Sequence, residues 1–132
     1  MNYLTIKHWK SKGIETNSGA KKEDISLLEK KIFFRFPEDF KTFYQSLNGF
    51  KERDWTINMF SLFPLERIEE EYHHHQNKKN FIPICDYLIS SHHLGYLKNK
   101  HGIFKDNNWT EKICNSFIEL LDLIDCDSEK LY

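Results

Sequence analysis

Apolar residues recur at helical spacing along much of this chain and alternate with polar ones over one stretch near its middle. In "KKEDISLLEKKI", Ile25, Leu28 and Ile32 stand at i, i+3 and i+7, which predicts a helix. Glu23 and Asp24 fall in its first turn and Lys30 and Lys31 in its last, matching the helix dipole at both ends. "RFPEDFKTFYQSLNGF" predicts a second helix. Pro37 sits at the first helical position, where no N–H is needed, and Glu38 and Asp39 follow it in the first turn. Phe40, Phe43, Tyr44 and Leu47 form one continuous apolar face. Gly49, supported by Asn48, is the expected left-handed stop. "CNSFIELLDLID" carries Phe117, Leu120, Leu121 and Ile124 on one stripe, behind an S-x-x-E capping box formed by Ser116 and Glu119. "PLERIEEEYHHHQNKK" reads as a helix opened by Pro64, with Leu65, Ile68 and Tyr72 inward. A short amphipathic helix with Leu4, Ile6 and Trp9 is expected in the first dozen residues, and "SKGIETNSGA" reads as a loop.

The period changes to two in "WTINMFSLF". Trp55, Ile57, Met59 and Ser61 face one way, and Thr56, Asn58, Phe60 and Leu62 the other, as in a strand. "FIPICDYL" is either an edge strand or a strand beginning near Ile84, because Pro83 donates nothing to a ladder. "SSHHLGYLK" and "HGIFKD" read as two more strands joined by a "KNKHG" hairpin loop ending at Gly102. The expected fold is α+β: N-terminal helices, a largely antiparallel sheet of about four to six strands, and a C-terminal helix packed on it.

Length and composition set bounds on function. The 132 residues suit one domain, expected to span 1–132, with enough chain to build a real core. The 19 basic and 20 acidic side chains leave a net charge of −1 and no basic stripe, so no nucleic-acid partner is expected. No segment resembles a signal peptide or a membrane span, and the cytoplasm is the expected compartment. The three cysteines, Cys85, Cys114 and Cys126, have no pairing spacing and read as reduced, buried thiols.

Candidate chemistry is thin. His73, His74 and His75 point in different directions on a helix and cannot all reach one ion, so a solvated run is the better reading. "ICDYLISSHH" holds the residue types of a nucleophilic site, or of a small metal-dependent hydrolase using Asp86, His92 and His93. It lacks a nucleophile elbow and any zinc-ligand spacing. The carboxylates of "ERIEEE" read as a solvated helix face. No cofactor, metal or catalytic residue is expected.

The order of segments carries more information than any single motif. "I-x-x-L-E-x-x-I", then "F-P-E-D-F-K-T-F-Y", then "L-N-G-F" resembles the SUKH superfamily, in which a helix ending near "LE" leads into "LPxDYxxFLxxxNG". "LFPLERIEE", "FIPICDY" and "NSFIELLDLI" look like that family's later segments, so the resemblance runs from about Gly19 to Ile124. On it, Pro37, Asp39, Phe40, Phe43, Asn48 and Gly49 match the family signature and are expected to be structural. Lys21 stands where many members place a Ser or Thr cap. "CDYLISSHHLGYLKNKHGIF" replaces a glycine- and aspartate-rich segment.

The resemblance implies a non-enzymatic binding module. Many bacterial members look like immunity proteins that bind and block a cognate toxin domain, often a nuclease, and the family also includes a fungal regulator of cell-wall assembly. The expected partner is therefore a toxin domain, with a regulatory scaffold as the alternative. Contact residues are expected where aromatics and charges exceed core needs. These are Arg53, Asp54 and Trp55; Glu69, Glu70, Glu71 and Tyr72; and Asp86, Tyr87 and His92.

Overall fold

The computed structural model describes residues 3–51, 60–74, 80–87, 92–126 and 128–131. Among them the order is α1 (Tyr3–Ser11), β1 (Thr16–Ser18), α2 (Lys22–Ile32), α3 (Glu38–Ser46), β2 (Leu47–Phe50), β3 (Phe60–Leu62), α4 (Leu65–His74), β4 (Phe81–Tyr87), β5 (His92–Leu97), β6 (Lys100–Lys105) and α5 (Phe117–Asp125). The fold is α+β. Strands β3, β4, β5 and β6 form one antiparallel sheet in that order, and β1 and β2 form a separate antiparallel pair.

The helical stripes land where the spacing puts them. Ile25, Leu28 and Ile32 of α2, Leu65, Ile68 and Tyr72 of α4, and Phe117, Leu120, Leu121 and Ile124 of α5 are all buried. They join one core with Phe40, Phe43 and Tyr44 of α3 and with Ile82, Ile84 and Ile103 of the sheet. Neighbouring strand residues face opposite sides of a sheet. Phe81 and Phe104, next to Ile82 and Ile103, therefore belong to a second cluster on the far face, with Leu97 and Trp109. Trp9 of α1 packs edge-on against Phe43 and Phe50, with ring centroids 6.2 and 4.9 Å away.

Several boundaries differ from expectation, each for a local reason. Pro37 is the N-cap of α3 rather than its first helical residue, with φ −61° and ψ 156°. The helix ends at Ser46; Leu47 is extended and opens β2, so "LNGF" is a strand and not a helix terminus. The "SKGIETNSGA" segment contains β1, which pairs Thr16 with Phe50 and Ser18 with Leu47. No local signal marks a three-residue polar strand whose partner is far along the chain.

β4 is interior, between β3 and β5, despite Pro83. A register shift between Pro83 and Cys85 accommodates the missing donor, and the Ile84 carbonyl turns to accept from the Phe63 N–H at 3.0 Å. The β5–β6 loop is shorter than "KNKHG": Leu97 pairs with Lys100 across Lys98 and Asn99, and Gly102 lies within β6. Of "WTINMFSLF", Phe60–Leu62 is strand; Trp55 to Met59 lie outside the described residues.

Two caps stand out. Lys21 caps α2 without any side-chain hydrogen bond. At the other end of α2, Phe33 occupies the left-handed region (φ 55°, ψ 46°), where glycine is favoured, and its N–H donates to the Glu29 carbonyl. A bulky residue there costs roughly 1 kcal/mol relative to glycine.

Candidate protein-binding surface

The signature residues form the frame and spend their polar atoms inside it. Phe40 is sandwiched between Phe36 and Tyr44, with centroids 4.2 and 4.1 Å apart, and meets Phe117 of α5 at 5.3 Å. Asp39 accepts the Phe40 N–H through Oδ1 at 2.9 Å and the Ile118 N–H through Oδ2 at 3.1 Å. It thus caps α5, a helix 79 residues away, beside Ser116, whose Oγ accepts the Glu119 N–H as the capping box predicts. Asn48 Oδ1 accepts the Leu65 N–H at 2.9 Å and so caps α4, while its carbonyl accepts from Asn17 Nδ2. Gly49 has φ +70°, and a Cβ there would lie 2.3 Å from the Pro64 nitrogen. The Asn-Gly pair therefore lets β2 press against the start of α4; it does not terminate α3. The Tyr44 hydroxyl completes the frame by donating to the Phe63 carbonyl at 2.6 Å.

Of the residues expected to contact a partner, four are buried. Tyr72 faces the core from α4, and its hydroxyl accepts from Lys98 Nζ at 2.6 Å. Asp86 is fully buried in β4, 4.0 Å from Arg67 Nη2 and 3.9 Å from His93 Nε2. Arg67 also lies 4.2 Å over the Phe63 ring and 3.7 Å from Glu71, so it holds its place through aromatic and acidic neighbours together. Tyr87 is buried beneath His92, ring on ring at 5.7 Å, and His92 Nε2 pairs with the Leu131 carbonyl at 2.8 Å. The sequence missed this because β3, β5 and α4 pack against β4 and enclose a segment that looks polar on its own. Arg53, Asp54 and Trp55 lie outside the described residues.

What remains accessible on α4 is an acidic edge. Glu66 and Glu70 are exposed, Glu69 pairs with Lys31 of α2 at 3.3 Å, and Glu71 pairs with Arg67. His73 and His74 are exposed at the end of the helix, as expected for a solvated run; His75 lies outside the described residues. Among the described residues no three His, Cys, Asp or Glu side chains converge as metal ligands, so Asp86, His92 and His93 do not assemble a site. Cys85 and Cys114 are buried, whereas Cys126 is exposed, contrary to its expected burial. Its place at the C-cap of α5, past the last inward position, puts it in solvent. Burial pushes the Cys85 thiol up, with the Asp86 charge acting the same way.

A cleft of about 480 Å³ opens on the other side of α2's C-terminus. Phe34, Tyr96 and Pro37 line it, with Arg35, Lys98, Lys100 and His101 among its cationic or titratable groups. Its one lining acid among the described residues is Asp39, whose oxygens are committed to Phe40 and Ile118. The Tyr96 hydroxyl is buried and has no hydrogen-bond partner among the described residues. Burial first, and the Asp39 charge second, push its pKa well above the usual 10.0, so it stays a protonated donor. Tyr96 was legible as a strand residue; that it shares a cleft with Arg35, from the α2–α3 turn, was not.

Among the described residues no helix is long and apolar enough to cross a membrane. A family model described as the SMI1 / KNR4 family (SUKH-1) matches residues 19–123. No curated protein matches the chain.

Proposed function

The chain belongs to the SMI1 / KNR4 family (SUKH-1), and from that premise we propose that it is an immunity protein which binds a cognate bacterial toxin domain and neutralises it by steric blocking. The family match over residues 19–123 carries the reading. The protein acts in the cytoplasm of the producing cell, uses no cofactor, and performs no catalysis of its own. It contacts neither nucleic acid nor membrane directly.

The physical support is a division of labour between frame and surface. The signature residues, and with them Tyr72, Asp86, Tyr87 and His92, are occupied in packing and capping. A surface carried on such a frame binds with a reduced ordering cost. An interface of roughly 800 Å² on each partner is sufficient to cover a toxin's substrate groove. Glu69, Glu70 and Glu71, with Arg53, Asp54 and Trp55 from the preceding segment, are the contact residues. Beneath the α4 edge, Tyr72 packs into the core and Asp86 lies beside Arg67, which pairs with Glu71. The exposed Glu70 and its neighbours suit a toxin whose groove binds phosphates, and a nuclease domain is the class this edge fits best.

The test is to read the neighbouring reading frames for a large secreted protein and to co-express the chain with the C-terminal domain of any that is found. Survival of cells carrying both, together with a stable one-to-one complex, is the expected result. Equal killing with and without the protein, and no complex, would refute the reading. Capture of housekeeping partners alone would favour a regulatory scaffold.

A further inference from the structure

We infer that the cleft between the α2–α3 turn and the β5–β6 hairpin is a docking surface for an acidic, extended segment of a protein partner, with the exposed Phe33 ring as its rim anchor. The inference deepens the protein-binding reading given above by naming a face and the chemistry that fills it.

Three independent features meet there. Phe33 is 81% exposed, although its backbone is held in the left-handed region. In the free protein it therefore brings strain without burial, whereas a partner that covers the ring recovers an aromatic contact at a preset orientation. Next to it, Lys98 Nζ lies 5.6 Å over the Phe33 ring and donates to the Tyr72 hydroxyl; Lys100 Nζ donates to the Trp109 carbonyl; and Arg35 is exposed. Among the described residues these three cations face one lining acid, Asp39, whose oxygens are engaged with backbone N–H groups, so the cleft lining carries an excess of positive charge. Finally, Tyr96 lines the same cleft, and its hydroxyl is buried with no hydrogen-bond partner among the described residues. An unmet buried hydroxyl is unfavourable until an acceptor arrives.

An acceptor that is also anionic satisfies all three features. A carboxylate takes the Tyr96 hydroxyl and neutralises the Arg35–Lys98–Lys100 rim, while an apolar neighbour on the same segment covers Phe33. A long polyanion fits less well: the acidic edge of α4, where Glu69 meets Lys31, borders the Phe33–Lys98 corner, and the chain as a whole carries a net charge of −1.

The test is an amide NMR titration of the full chain with the peptide acetyl-ELDEFE-amide, its neutral counterpart acetyl-QLNQFQ-amide, and a short single-stranded oligonucleotide. Saturable shifts from the acidic peptide at residues 33–39, 96–102 and 115–116, with a dissociation constant of about 1 mM or tighter, are expected, and none from the neutral one. Arg35→Glu should abolish them, and Tyr96→Phe and Phe33→Gly should each weaken binding about five- to tenfold. Both of the latter variants should fold at least as stably as the parent, because one loses an unmet hydroxyl and the other a strained cap. No saturable shifts at the cleft, unchanged affinity in Tyr96→Phe and Phe33→Gly, or equal response to the oligonucleotide would overturn the inference. The same variants in the co-expression assay separate the two proposals. Full protection by Phe33→Gly and Arg35→Glu would sink the docking surface and leave immunity standing. Cleft-specific peptide binding without any protection would do the reverse.

Discussion

Gly49→Ala is the sharpest test of the frame. The residue sits at φ +70°, and the added methyl carbon would stand 2.3 Å from the Pro64 nitrogen and 2.5 and 2.6 Å from the Phe63 carbonyl carbon and oxygen. Ordinary carbon contacts begin near 3.5 Å, so the opposing backbone must retreat by about 1 Å. That backbone is pinned at three points: Phe63 N–H to the Ile84 carbonyl, Tyr44 hydroxyl to the Phe63 carbonyl, and Leu65 N–H to Asn48. Loosening them costs about 1 kcal/mol each, and the left-handed conformation adds about 1 kcal/mol, for a total of roughly 3–4 kcal/mol. Against a typical stability of roughly 5–15 kcal/mol, this should lower the melting temperature by roughly 10–15 °C.

Gly13→Ala is the matched control. Gly13 has φ +83°, but nothing lies within 4 Å of the added carbon. It should cost only the conformational part, about 1 kcal/mol. Urea unfolding of both variants, followed by tryptophan fluorescence, reads the difference directly. Equal losses for the two substitutions would refute the close-approach argument.

Other outcomes follow from the same contacts. Asp39→Ala should destabilise by roughly 1–2 kcal/mol through loss of the α5 cap, while Asp39→Asn, which keeps an acceptor, should lose less than half of that; urea midpoints distinguish them. In native protein one thiol, Cys126, should react rapidly with an aromatic disulfide reagent, and Cys126→Ser should remove that phase, because Cys85 and Cys114 are buried. Burial raises the pKa values of Cys85, Tyr44 and Tyr96 above their ordinary values of 9.0 and 10.0. The unfolded chain therefore loses these protons first, so stability is full below about pH 9 and falls as pH rises beyond it. Cys85→Ala should flatten the first part of that decline in pH-dependent urea unfolding, and Tyr96→Phe the later part.

The helices were legible because each carries an apolar stripe of full period: the buried faces of α2, α4 and α5 are those the spacing names. Ser116 was legible as a cap for the same local reason. What escaped were relations between distant segments. Asn48 and Gly49 read as a helix stop, yet they serve α4 and β3's exit, since nothing near them in sequence shows that Leu65 offers its N–H. Asp86 and His92 read as surface because their residue types are polar, but a strand enclosed on both sides buries whatever it carries, provided that it finds partners such as Arg67 or the Leu131 carbonyl. The cleft was illegible for the same reason: Arg35, Lys98 and Tyr96 come from segments that only the folded chain brings together.

The bond from Asp39 to Ile118 bears on how the protein is made. A ribosome adds roughly 5–20 residues per second, so the 79 residues between the two take roughly 4–16 s to emerge. Through that interval Phe40, Phe43 and Tyr44 are already synthesised, but Phe117, which lies 5.2–6.0 Å from them in the finished fold, does not yet exist. A nascent chain halted before that point displays an aromatic face that chaperones and proteases recognise. Completion of synthesis is thereby the step at which that face can first be covered by α5.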